Sequence, residues 1–180
     1  MVDSEFSINK NHKVKVVAGN VVGIFIAGKK EQLPVSVNSI EAIAHRGLVG
    51  DRYYANSGTF SGAEPLGPGR EITLIEEESV SVLSEQLHQK INPAQLRRNV
   101  MTRGIRLNDL VGREFIIGQI RLLGVRLCHP CAHLERLSGW DVIAQLKERG
   151  GLRADILDNG WLHVGDTVNV HPDLPSKTNH

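Results

Sequence analysis

At 180 residues the chain is long enough to bury the core of one domain without staples. Its 21 basic and 20 acidic residues leave a net charge of +1 and are spread along the whole length, which argues against a general field for nucleic acid or an anionic membrane. Aromatics at 4% leave no stacking platform for single strands, and two cysteines rule out a disulfide framework.

In chain order, residues 1–15 are polar, so no secretory leader is expected and the setting reads as cytoplasmic and reducing. The longest apolar stretch, residues 16–28, is broken by Gly19-Asn20 and is too short to span a bilayer. Residues 1–11 read as a flexible lead, 12–170 as a single domain and 171–180 as a flexible polar tail. Residues 12–17 alternate lysine with valine at strand period, Gly19-Asn20 signals a turn, and residues 21–27 complete a hairpin. Residues 34–43 make a third strand. The glycine-rich stretch 45–70 is irregular, with a tight turn expected at residues 47–51.

Residues 70–75 read as a strand and 76–90 as a helix, with Val80, Leu83 and Leu87 on one face and glutamates in the first turn. Asn92-Pro93 caps a short helical turn, after which residues 96–102 return to extended chain. Residues 107–110 turn, and 113–117 with 119–127 form a hairpin through Gly118. Residues 132–137 make a short helix, and residues 141–149 another, capped by Asp141 and closed by Gly150-Gly151. Residues 152–157 and 161–164 read as a hairpin across Asn159-Gly160, and Gly165-Asp166 turns into a last strand at 167–170. Many short strands and few helices predict a mainly β fold.

The chemistry is concentrated in Arg126-Leu-Cys-His-Pro-Cys-Ala-His-Leu-Glu135, which holds both cysteines at a strand-to-helix corner. A thiol there, beside Arg126, His129 and His133, suits metal binding or sulfur carriage, although a small buried apolar cysteine is the commoner use of the residue. Structural zinc is not expected, because Cys128, Cys131, His129 and His133 lie too close in sequence to close a tetrahedron and no second knuckle exists. A thioredoxin-like dithiol is disfavoured by its place after a hairpin late in the chain. No phosphate-binding or flavin fingerprint occurs, and the cysteines are too few for an iron–sulfur cluster. Arg97, Arg98 and Arg103 crowd one segment and read either as a solvated strand face or as an anion-binding cluster, with Asn99 able to hydrogen-bond the same ligand.

Six ordered motifs, Gly47-Leu-Val-Gly-Asp-Arg-Tyr53, Arg70-Glu-Ile-Thr-Leu-Ile75, Leu96-Arg-Arg-Asn-Val100, Leu127-Cys-His-Pro-Cys-Ala-His133, Gly150-Gly-Leu-Arg-Ala154 and Val164-Gly-Asp166, resemble the MOSC domain over residues 12–170. This is the domain at the C-terminus of molybdenum cofactor sulfurases, found also as small stand-alone bacterial proteins. The resemblance implies a distorted closed β-barrel like the pyruvate kinase β-barrel domain, with a few short helices. It also implies binding of the molybdenum pyranopterin cofactor, sulfur carriage through a cysteine persulfide, or both, and a family-level association with pyridoxal phosphate. The alternative it offers is a molybdenum-dependent reductase of N-hydroxylated compounds. The partners would be a cysteine desulfurase or a separate electron-donor protein. Carried over by position, Cys131 is the sulfur carrier or metal ligand and Cys128 an auxiliary thiol, with His129 and His133 tuning them. Arg70, Glu71, Arg97, Arg98, Asn99 and Arg153 are the cofactor-binding candidates. The amidoxime-reducing relatives place their metal-binding cysteine after the helix, where this sequence reads Arg149-Gly-Gly-Leu-Arg153.

Overall fold

The computed structural model describes residues 17–58, 61 and 67–170. Its strands in chain order are β1 (Val17–Ile26), β2 (Val35–Val37), β3 (Ser39–Ile43), β4 (Gly47–Leu48), β5 (Ile72–Glu76), β6 (Val100–Arg103), β7 (Glu114–Ile117), β8 (Ile120–Leu127), β9 (Leu152–Ile156), β10 (Gly160–His163) and β11 (Thr167–Val170). Three short helices accompany them: α1 (Glu77–Gln86), α2 (Ala132–Ser138) and α3 (Val142–Gln145). Seven strands close a barrel in the order β1-β11-β7-β8-β9-β5-β6, with β6 returning to β1, while β2 pairs with β1 outside the ring. Closure removes the exposed edges that an open sheet of this size would present. A second sheet, β10-β3-β4, lies beside the barrel. The expected mainly β fold with a distorted closed barrel is what forms.

Alternation builds the barrel interior. In β8 Ile120 and Leu122 are buried while Arg121 between them is exposed, and Phe115, Leu74, Ile24 and Val168 meet them from other strands. The one parallel pair in the ring, β5 with β6, needs a long crossover, which α1 and a 3-10 turn at Pro93–Leu96 supply. A second core forms where these elements and α2 and α3 cover the barrel, around Ile75, Leu83, Leu96, Leu134 and Leu146.

Several local expectations change in the folded chain. Residues 12–16 lie outside the described residues, as do the lead at 1–11 and the tail at 171–180, and no turn forms at Gly19-Asn20. Strand β1 runs straight through, with Asn20 paired to both Arg103 and Thr167. Glycine is needed at position 19 for close approach, since a Cβ would sit 2.5 Å from the Arg103 carbonyl oxygen. Residues 34–43 split at Asn38, β2 joining the barrel and β3 the second sheet. Helix α1 stops at Gln86 because His88 turns left-handed at φ 50°, and the Gln89 N–H then donates to Ser84 O at 3.1 Å in a Schellman closure. Helix α3 is a single turn. Asp141 makes no side-chain cap, and Glu135 Oε1 accepts from the Ile143 N–H at 2.9 Å instead.

The segments around Asn159-Gly160 do not form a hairpin. Both edges of β9 are taken by β8 and β5, so β10 pairs with β3, and Asn159 Oδ1 accepts from the Ala44 N–H at 2.8 Å to direct the chain there. The turn at residues 47–51 forms as expected, with Gly47 and Gly50 at positive φ. Asn92 caps its turn through Ala94 N at 3.1 Å, and Gly118 joins β7 to β8.

Candidate functional site

Strand register links residues far apart in sequence across one level of the barrel. Leu127 is opposite Leu152, Leu152 is opposite Leu74, Leu74 is opposite Val100, and Val100 is opposite Ile24. One step off this level, Cys128 and Gly151 fall on the side of Ile75, while Thr73, Asn99 and Phe25 fall on the other side, with Arg153 opposite Thr73. Backbone bonds stitch the level together: Cys128 N–H to Gly151 O at 2.7 Å, Asn99 N–H to Thr73 O at 2.9 Å and Phe25 N–H to Asn99 O at 2.7 Å.

A cleft of about 60 Å³ opens here, lined by Arg52, Tyr53, Thr73, Arg97, Arg98, Cys128, His129, Cys131, His133, Leu134 and Arg153. Seven of the residues picked from sequence thus line one cleft: Cys128, Cys131, His129, His133, Arg97, Arg98 and Arg153. The lining carries four arginines and two histidines and no carboxylate, so its field is positive although the chain is nearly neutral.

The two thiols differ. Cys128 is 1% exposed, whereas Cys131 is half-buried at the N-cap of α2, where its carbonyl accepts from the Glu135 N–H and its side chain makes no cap. The corner is held by Arg98, which is 8% exposed and donates from Nε to Gly150 O at 2.8 Å, from Nη1 to Leu96 O at 3.0 Å and from Nη2 to Cys128 O at 3.1 Å. One guanidinium therefore ties three segments around the cysteines.

Arg52 and Arg97 are used otherwise. Arg97 leaves its 3-10 turn in left-handed conformation, φ 58° and ψ 33°, and donates from Nη1 to Gln32 O at 2.6 Å, but its buried Nη2 finds no acceptor. Arg52, 7% exposed, reaches Asp51 Oδ2 at 3.4 Å through Nη1 and stands 5.0 Å over the Tyr53 ring, while its buried Nε is likewise without an acceptor. Burial, reinforced by the Arg52 charge nearby, lowers the Arg97 pKa from its ordinary value. Two desolvated cations, each with an unmet donor, make a site that an anion would satisfy. Burial, with the Arg136 charge next, also lowers the His133 pKa, and Arg136 Nη2 donates to His133 Nδ1 at 3.1 Å, leaving the neutral ring its proton on Nε2.

Arg70, Glu71 and Asn99 do not line the cleft. Asn99 joins β5, β6 and the turn at residues 47–51, with Oδ1 accepting from Thr73 Oγ1 at 2.8 Å and Nδ2 donating to Phe25 O and Asp51 Oδ2, each at 3.3 Å. Glu71 Oε2 accepts from the Ile156 N–H at 2.7 Å and the His45 N–H at 3.1 Å, and burial raises its pKa. Arg52, Tyr53, Thr73 and Leu134 line the cleft without having been singled out as site residues. The signal that could have found the first two is an Asp-Arg-Tyr run ending a double-glycine turn, which is more side-chain chemistry than a turn requires. A larger open groove of about 480 Å³ lies elsewhere, between the start of α1 and residues 147–149, but its walls mix acids and bases and hold none of the candidate residues. Among the described residues no group of three or more His, Cys, Asp or Glu is arranged to hold a metal ion, and no helix is long and apolar enough to cross a membrane.

A family model described as the MOSC domain matches residues 62–169. No curated protein matches the chain. Among solved structures, the YuaD protein of Bacillus subtilis superposes with TM-score 0.74 at 18% identity, covering 87% of this chain and 97% of that one. YiiM from Geobacillus stearothermophilus gives 0.65 at 14% identity over 85% and 75% of the two chains. YiiM from Escherichia coli gives 0.61 at 17% identity over 86% and 71%. At these identities the likeness is one of fold.

Proposed function

The chain belongs to the MOSC domain family, and from that premise we propose that its cysteine-lined cleft binds the molybdenum pyranopterin cofactor by an anionic end, with Cys131 as the reactive sulfur of the site. The observation that carries this reading is that two arginines lining a cleft with no carboxylate, Arg52 and Arg97, each keep a buried guanidinium N–H, Nε and Nη2, without an acceptor. The residues suit the group. A pyranopterin bears a phosphate and dithiolene sulfurs, and the lining offers cations, neutral hydrogen-bond donors and thiols. The volume, about 60 Å³, fits one phosphate-sized group and makes the cleft a seat for the anionic end alone.

Arg52 and Arg97 would hold the phosphate, and Arg98 would keep the cysteine corner in place. The cofactor, when bound, supplies two-electron oxygen-atom chemistry. Cys131 is the accessible thiol of the two, which favours it over Cys128 for carrying sulfur. In that role its thiolate takes the terminal sulfur of a donor persulfide: the donor S–S bond breaks, a new one forms on Cys131, and the donor leaves as a thiolate. A cysteine desulfurase is the class of donor this requires.

The test is elemental analysis and thiol mass spectrometry on protein from a host that makes the cofactor, for wild type, Arg97→Gln and Cys131→Ser. Stoichiometric molybdenum in wild type and its loss in Arg97→Gln are expected. A sulfur adduct on Cys131 after incubation with a desulfurase and cysteine is expected as well. Protein that takes up neither molybdenum nor sulfur overturns the reading.

A further inference from the structure

We infer that Asp51 and Asn99 are positioning residues for Arg52, fixing its guanidinium at the wall of the cysteine cleft while its Nε–H is left without an acceptor inside the protein. This rests on the anion-binding reading of that cleft. An arginine side chain has several rotatable bonds and, beside a second guanidinium, would be driven toward solvent unless something held it.

Two contacts do so. Asp51, 2% exposed, offers Oδ2 to Arg52 Nη1, and the Tyr53 ring lies under the guanidinium plane. The same Oδ2 accepts from the Ala27 N–H at 3.2 Å and from Asn99 Nδ2 at 3.3 Å, while Oδ1 accepts from the Tyr53 N–H at 3.0 Å. The carboxylate is thus pinned to the end of β1 and the start of β6, and it cannot swing without breaking several bonds.

Asn99 decides the orientation. Its Oδ1 is occupied by the Thr73 N–H at 3.1 Å and the Thr73 hydroxyl at 2.8 Å, so its NH₂ must point to Phe25 O and Asp51. A flipped amide would set donor against donor. Both amide atoms are therefore engaged within the protein, and Asn99 reaches a ligand only through Asp51 and Arg52. The arrangement gives Arg52 a counter-charge on one edge, which lets it stay buried near Arg97 before a ligand arrives, and leaves the Nε edge unmet.

The test is a double-mutant cycle read by binding of inorganic phosphate to the full chain, followed through the arginine Nε–H resonances. Wild type is expected to bind. Arg52→Gln and Asp51→Asn are each expected to weaken binding about tenfold, and the double variant no more than Arg52→Gln alone. Losses that multiply in the double variant, or an Asp51→Asn protein that binds as well as wild type, overturn the positioning role and leave the anion reading intact. A wild type that binds no phosphate withdraws both. If Asp51→Asn does not fold, the wild type itself gives the answer: the Arg52 Nε–H is expected to exchange slowly before phosphate is added, and fast exchange overturns the inference.

Discussion

Arg97 and Arg98 are sequence neighbours whose guanidinium groups meet different partners, and the difference decides what each substitution should do. Arg98 is buried and gives three hydrogen bonds to carbonyls from Gly150, Leu96 and Cys128. Replacing it with alanine leaves those carbonyls without their donor inside the second core, and we expect Arg98→Ala to cost about 2–4 kcal/mol in urea unfolding. A loss below about 0.5 kcal/mol would mean water replaces the guanidinium without cost. Arg97 makes one such bond and holds an uncommon left-handed backbone, a strain of about 1–2 kcal/mol that persists only where the surroundings enforce it. From the sequence the two arginines are indistinguishable, because their density is visible and their acceptors are not. Arg52 was legible only as part of a turn, and its partner Asp51 as a turn residue.

At the scale of elements, periodicity served the strands and the βαβ-like crossover well, while local turn signals misled. Asn159-Gly160 carries a hairpin signature, yet whether two flanking strands pair depends on which edges are free, and β9 has none. Likewise Gly150-Gly151 reads as a helix stop but serves close packing. Gly151 has φ 102°, and a Cβ there would lie 1.9 Å from the Leu74 carbonyl oxygen, while the carbonyl of Gly151 itself accepts from the Cys128 N–H. Gly165 has φ 98° with nothing near its missing Cβ. The pair separates backbone strain from collision. Gly165→Ala should cost about 1 kcal/mol and Gly151→Ala about 3 kcal/mol or more, with a shifted Cys128 amide resonance in the latter. Equal costs at the two positions would show that β5 and β9 can part there without penalty.

For the whole molecule, the second sheet and the barrel share one carboxylate. Glu71 Oε2 accepts from the His45 N–H, just beyond β3, and from the Ile156 N–H at the end of β9, so it ties the two sheets together. Burial raises its pKa above the ordinary 4.5, outweighing those two hydrogen bonds. The sign follows from proton counting. A carboxyl with a raised native pKa binds its proton more tightly folded than unfolded, so its contribution to stability falls as pH rises from about 4.5 through the native value and stays unfavourable above it. Glu71→Gln keeps an acceptor oxygen for the shared bonds and removes the ionisation. Its unfolding free energy relative to wild type should therefore climb as pH is raised from about 4 to 7, read from urea titrations at each pH. Glu71→Ala should instead lie about 1–3 kcal/mol below wild type throughout, because both N–H groups lose their acceptor. A Glu71→Gln protein that loses ground as pH rises would mean that the carboxylate is held ionised by a cation at the sheet junction, and the two sheets would then be joined by charge rather than by a buried acceptor.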